Sequence, residues 1–198
     1  MKQLQIIDLK KRPSCGSPEF IDLSHQIHSA FKGTGFAYIS NHGVPIELIN
    51  KLMTQGRDFF LKPQLEKNKI TMENAGHAWR GYFPVGAEMT AGKPDQKEGI
   101  YFGVEHAASH VGVQSGWPMH GKNQWPEKDV DFSKNTLKYI EELTELGKYL
   151  MSLVAGGLGL DANYFRERFG EEPTTLFRMF NYPLKNSDDV WGVGEHTD

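Results

Sequence analysis

A single cysteine, Cys15, stands among 198 residues. No disulfide can form within the chain, which excludes the stapled scaffold of small secreted domains and points to a cytoplasmic home. The thiol lies in a stretch rich in Pro, Ser and Gly and reads as incidental rather than catalytic. Charge of one sign is lacking too: 22 Lys and Arg face 25 Asp and Glu, scattered along the chain, for a formal net charge of -3. Without a basic stripe there is no nucleic-acid footprint, and without a run of like charge no disordered tail. No segment reaches the roughly 20 consecutive apolar residues of a membrane span. The first eight residues lack the apolar core of a signal peptide. Glycine is plentiful, with 21 residues. Yet neither Gly-x-x-x-x-Gly-Lys-[Ser/Thr] nor Gly-x-Gly-x-x-Gly occurs, so a phosphate-cradling loop is excluded.

What is present is ordinary for a globular protein: 38% hydrophobic and 24% charged residues, enough for one substantial core or two small ones. Leu4 to Leu9 predicts a first strand. Ser17-Pro18 predicts an N-cap and first helical residue, followed by Phe20, Leu23, Ile27, Ala30 and Phe31 at helical spacing. Gly35 to Ser40 predicts a second strand. Pro45 opens a second helix whose buried stripe is expected at Ile46, Ile49, Met53 and Phe60. Residues 62–95 are polar and loop-like. Glu98 to Gly103 predicts another strand. Ser133 to Val154 is the longest helical pattern, expected to stop at Gly156-Gly157. A short helix from Asp161, a strand over 174–182, a polar turn and a strand over 191–198 complete the order.

Four histidine positions invite a chemical reading. His42, in a tight turn, is expected to be a structural hydrogen-bond partner. His106 and His110 have i,i+4 spacing suited to a metal, but the small, Gly/Ser-rich residues around them favour a solvated loop. His196 and Asp198 lie two positions apart. On an extended strand such residues share a face. An imidazole and a carboxylate would then converge on one point, two thirds of the 2-His-1-carboxylate triad that holds non-haem Fe(II) with open positions. The ordinary alternative is a polar strand end or a turn capped by Asp198.

The motifs Gly35-Phe36, Asn41-His-Gly-Val-Pro45, Arg80-Gly-Tyr82, Asp95-Gln-Lys-Glu-Gly-Ile-Tyr-Phe-Gly103, Gly116-Trp-Pro118, Asn123-Gln-Trp-Pro126, Asn181-Tyr-Pro183 and Gly194-Glu-His-Thr-Asp198 follow one another in order. Together the chain resembles the isopenicillin N synthase-like branch of the Fe(II)/2-oxoglutarate-dependent dioxygenases. The resemblance implies an α+β fold. An N-terminal α/β region (1–130) leads into a double-stranded β-helix, or jelly roll, begun by the long helix and sheet of 131–198 and incomplete in this chain. It implies that His196 and Asp198 are metal ligands for Fe(II), with a third ligand His absent from these residues. It gives Tyr182 the role of binding the co-substrate 2-oxoglutarate, with a core tyrosine beside a proline as the alternative. Arg178, Arg80 and Glu88 are assigned to substrate binding, with a structural ion pair as the alternative for the last two. The implied enzyme oxidises a small organic molecule with O2, giving succinate and CO2, and is a monomer when intact. This chain alone is expected to be an inactive N-terminal fragment. Two other readings stay open: an iron oxidase of the same fold that does not use 2-oxoglutarate, and a non-catalytic interaction protein.

Overall fold

The computed structural model describes residues 3–10, 12–127, 129–170, 172–184 and 192–196. The chain divides into two compact units, 1–46 with 141–173 and 47–140 with 174–198.

In the first unit, β1 (Gln5–Asp8) pairs in parallel with β2 (Ala37–Ser40), and α1 (Pro18–Gly33) connects them. Ser17 caps α1 as its sequence predicts: its Oγ accepts the Phe20 N–H at 3.2 Å, satisfying one orphan donor of the first turn. The expected apolar face is realised, with Phe20, Leu23, Ile27 and Ala30 buried against Ile7, Leu9 and Leu153. Leu153 belongs to α5 (Val130–Gly157), whose last turns lie in this unit. As expected, α5 stops at Gly156-Gly157, its last two residues. A Cβ on Gly156 would lie 2.7 Å from the Ser24 Oγ, and one on Gly157 2.6 Å from the Ser24 carbonyl. The glycines therefore let two helix backbones approach closely. Beyond them, α6 (Tyr164–Phe169) ends at Gly170, whose φ of 79° suits a residue without a side chain.

The second unit is built on an antiparallel sheet in the order β3 (Gly81–Phe83), β6 (Glu98–Phe102), β7 (Phe177–Asn181). Side chains alternate across it. Tyr82, Ile100, Phe102, Phe177 and Met179 face α2 (Ile46–Phe60) and the first turns of α5, where Leu48, Leu52, Phe59, Phe132 and Ile140 close the core. The stripe of α2 thus differs from the expected one. Leu48, Leu52 and Phe59 are buried, whereas Ile46 and Met53 are 58% and 66% exposed. Two apolar stripes at helical spacing compete on this helix, and packing chose between them. Ile49, Met53 and Phe60 instead line a cavity of about 420 Å³ with Tyr139, Met179 and Asn181.

The polar stretch before β6 is more structured than its composition suggests. It holds α3 (Gln64–Lys67), two 3-10 turns, β3, and a hairpin of β4 (Met89–Thr90) and β5 (Lys93–Pro94). A four-residue helix, α4 (Val111–Gln114), follows β6. Asn123-Gln-Trp-Pro126 is a clamp. Asn123 Oδ1 accepts the Gly103 N–H at 2.9 Å, and its Nδ2 donates to the Gly103 carbonyl at 2.8 Å. Gln124 Nε2 donates to the carbonyls of Thr71 and Arg80, each at 2.7 Å. Trp125 stacks on Phe102 with centroids 4.8 Å apart.

Candidate functional site

The sheet face opposite the helices carries a different set of side chains. Register places Tyr101 beside Arg178, and Gly99 between Phe83 and Phe180. The rings of Phe83, Tyr101 and Phe180 meet edge to face, with centroids 5.2–6.3 Å apart. They fit because position 99 has no side chain. A Cβ there would lie 2.5 Å from Phe83 Cζ and 2.8 Å from Phe180 Cδ1. The β4–β5 hairpin and the start of β6 add charge to this apolar floor. The Lys97 Nζ lies 2.9 Å from both Glu88 Oε2 and Asp95 Oδ2, and 5.0 Å from the Phe180 ring centroid. Glu88 Oε1 accepts the Tyr101 hydroxyl, and Asp95 accepts the Thr90 hydroxyl at 2.9 Å. The Arg178 guanidinium lies over the rings of Phe180 and Tyr101, at 5.3 and 5.9 Å.

The ionisation of these groups follows from their pairing. Burial acts most strongly on Lys97 and pulls it down. The hydrogen bonds and charges of Asp95 and Glu88 together outweigh it, so the ammonium is held above its usual range. For Asp95 burial again opposes the charged form, and Lys97, Thr90 and the Gly194 N–H prevail, lowering the carboxyl. Tyr101 is pushed up, first by burial and then by donating to Glu88, and stays a neutral donor. The result is a triad of one cation and two carboxylates that fixes the Tyr101 hydroxyl, with the Arg178 side chain exposed beside it. An exposed guanidinium next to a fixed phenol suits a carboxylate.

The segment 192–196 is strapped to the same hairpin. Gln96 N–H donates to the Gly192 carbonyl at 3.0 Å, and a Cβ on Gly194 would lie 3.2 Å from Thr90 Cγ2. Its backbone is bend and coil rather than the expected strand. His196 is exposed, with Nδ1 2.9 Å from the Gly194 carbonyl. A carbonyl only accepts, so in this contact Nδ1 carries the proton. A histidine that donates from one ring nitrogen to a backbone carbonyl turns the other outward, as metal-ligating histidines do. Asp198 lies outside the described residues. The imidazole of His196 is a donor of the kind Fe(II) accepts. Tyr182 is 49% exposed, beside Phe180 and 3.0 Å from where a Gly192 Cβ would be. Arg80 is not gathered with these residues or paired with Glu88. It is 0% exposed and donates from Nη2 to the carbonyls of Met119 and Thr175, at 2.8 and 3.3 Å.

Residues 4–128 match the profile of the non-haem dioxygenase in morphine synthesis, N-terminal region. This chain is a member of the Fe(II)/2-oxoglutarate-dependent oxygenase family. A probable iron/ascorbate oxidoreductase of Dictyostelium discoideum is 40% identical, with 100% of this chain and 61% of the relative covered. A homoarginine-6-hydroxylase of Arabidopsis thaliana is 30% identical, covering 90% of this chain and 49% of the relative. Among solved structures, a full-length Neurospora crassa protein in complex with alpha-KG superposes with a TM-score of 0.78 at 25% identity, covering 98% of this chain and 61% of that one. The chain thus spans about half to three fifths of the length of the relatives it matches. The oxygenase-family likeness extends over both compact units.

Sequence reasoning missed Asp95, Lys97 and Tyr101. The signal was available in Lys97-Glu-Gly-Ile-Tyr-Phe102. Read with period 2, it puts Lys97 and Tyr101 on the side away from Ile100 and Phe102. A glycine between them marks a close approach on that side.

Proposed function

We propose that this chain is the N-terminal portion of a non-haem Fe(II)- and 2-oxoglutarate-dependent oxygenase that oxidises a small organic substrate with O2, releasing succinate and CO2. The observation that carries the reading is His196, with Nδ1 turned to the Gly194 carbonyl in a segment whose Gly192 and Gly194 lie against Gln96 and Thr90. In this proposal His196 and Asp198 hold the iron with a third ligand from outside these residues. Residues 1–130 form the N-terminal dioxygenase region, supported by the profile match over 4–128. Residues 131–198 begin a jelly roll that further chain completes. The enzyme is a cytoplasmic monomer with no nucleic-acid or membrane partner. Among the described residues no helix is long and apolar enough to cross a membrane.

Iron bound at His196 and Asp198 supplies the activation of O2 that is coupled to oxidative decarboxylation of the 2-oxo acid. The residues described here do the rest by binding and exclusion. Arg178 receives an anionic group of the substrate, and Tyr182 donates to the distal carboxylate of 2-oxoglutarate. Tyr101, fixed by Glu88 and Lys97, presents a neutral hydroxyl at the same face. Phe83 and Phe180 keep water from it. Arg80 acts from beneath by fixing the Met119 and Thr175 carbonyls.

Anaerobic Fe(II) titration followed by a succinate assay tests the reading. A longer polypeptide carrying these residues should bind one Fe(II) and form succinate from 2-oxoglutarate, and His196→Ala should abolish both. The 198-residue chain alone should bind iron weakly and form none. Tight 1:1 binding with 2-oxoglutarate turnover by the 198 residues would refute the fragment reading. Turnover without 2-oxoglutarate would assign the oxidase alternative, for which the iron/ascorbate name of the Dictyostelium relative speaks.

A further inference from the structure

Three imidazoles that the sequence spreads over 15 positions meet on the loop after β6. One ring nitrogen from each of His106, His110 and His120 lies within 4.8 Å of one from each of the others, and all three residues are half-buried. Ring centroids are 4.7 Å apart for His106–His110 and His106–His120, and 5.6 Å for His110–His120. We infer that this cluster is a binding site for a divalent first-row transition ion, Zn²⁺ being the best match, separate from the iron position at His196.

Three observations support it. First, each position is anchored by backbone. His106 N–H donates to the Gly121 carbonyl at 3.1 Å, His110 N–H to the Ala107 carbonyl at 2.9 Å, and His120 N–H to the Trp117 carbonyl at 3.3 Å. Second, His120 Nδ1 lies 2.9 Å from the Pro118 carbonyl. The acceptor demands a proton on Nδ1 and leaves the lone pair on Nε2, the arrangement found in ligating histidines. Third, glycine makes room for the rings. A Cβ on Gly112 would lie 2.5 Å from His120 Cδ2, and the Trp117 indole meets the His120 ring edge-on at 5.4 Å.

Three nitrogens plus water make a tetrahedral zinc site with one open position. Zn–N bonds of about 2.0–2.1 Å set the nitrogens roughly 3.4 Å apart, so the rings close in by roughly an ångström. His106 and His110 now receive the N–H groups of Gly121 and Gly112 on Nδ1, at 3.4 and 3.0 Å. Coordination exchanges those contacts for bonds to the ion. Gly112, Gly116 and Gly121 give the loop the freedom to do so.

The test is Zn²⁺ titration of the full chain in competition with a chromophoric chelator, alongside His196→Ala, His106→Asn, His110→Asn and His120→Asn. The expected result is one Zn²⁺ per chain in the wild type and in His196→Ala. Each of the other three substitutions should weaken binding at least about tenfold. Ring-nitrogen NMR of the wild type requires no variant to fold: three of the eight histidines should shift together with one equivalent of Zn²⁺. Binding that survives all three Asn substitutions, that disappears in His196→Ala, or that leaves fewer than three histidines shifted overturns the inference. So does the lack of any stoichiometric binding.

Discussion

Replacing Lys67 by Met should invert the pH dependence of stability contributed by Glu98. The two side chains form an ion pair of 2.7 Å and are only 8% and 7% exposed. Glu98 also accepts from the Tyr82 hydroxyl at 2.6 Å and from Asn181 Nδ2 at 2.8 Å. In the wild type burial pushes the Glu98 carboxyl up, but Lys67, Tyr82 and Asn181 outweigh it and the net shift is downward from 4.5. A depressed carboxyl contributes stability that is fully present above the unfolded pKa and is lost as pH falls through the folded one. Removing the ammonium leaves a buried carboxylate with two neutral donors. Breaking a buried pair in this way costs about 3–5 kcal/mol. Burial then dominates, and the folded pKa of Glu98 moves above its unfolded value. In Lys67→Met the group therefore destabilises at neutral pH and less so as pH falls toward 5. Urea denaturation at pH 7 and pH 5 measures both differences. The deficit should be about 3–5 kcal/mol at pH 7 and smaller at pH 5. Lys67→Met/Glu98→Gln should recover most of it at pH 7. A deficit below about 1 kcal/mol, or one that is equal at both pH values, would refute the argument that this pair is desolvated and mutually dependent.

Gly99→Ala should cost about 1–3 kcal/mol by overpacking Phe83 and Phe180, read as a lowered denaturation midpoint with unchanged slope. Asn123→Ala strips the buried N–H and carbonyl of Gly103 of their partner and should cost about 3 kcal/mol in the same assay. Ser17→Ala removes one cap bond and should cost only about 1 kcal/mol. In a longer polypeptide with turnover, Arg178→Ala should raise KM for an anionic substrate about 10–100-fold with little change in kcat, and Arg178→Lys should recover part of it.

The elements were legible where local chemistry decides them. Ser17-Pro18 announces α1, and the branched and aromatic run at 98–103 announces β6. Tertiary choice was not legible. On α2 the stripes through Leu48 and through Ile49 have equal periodicity, and only the facing sheet selects one. Gly156-Gly157 reads as a stop and is one, but its second use as a crossing point was hidden, because the reason lies on Ser24, more than a hundred residues earlier. Lys67 and Lys97 look like solvated charges, and each is buried by a carboxylate partner contributed from another segment. His106 and His110 could be paired by spacing, but His120 enters through the loop's path. The candidate site was legible as the motif around His196, while the floor beside it required the sheet register.

The interleaving of the first unit sets an order of events during synthesis. The apolar side of α1 emerges from the ribosome with residues 20–30, yet its cover includes Leu153. At about 5–20 residues per second, the wait is roughly 6–25 s. For that interval Phe20, Leu23 and Ile27 have only β1 and β2 against them. The nascent polypeptide is therefore most vulnerable to misassociation before the end of α5 is translated, and a ribosomal pause between residues 31 and 153 would lengthen the exposure.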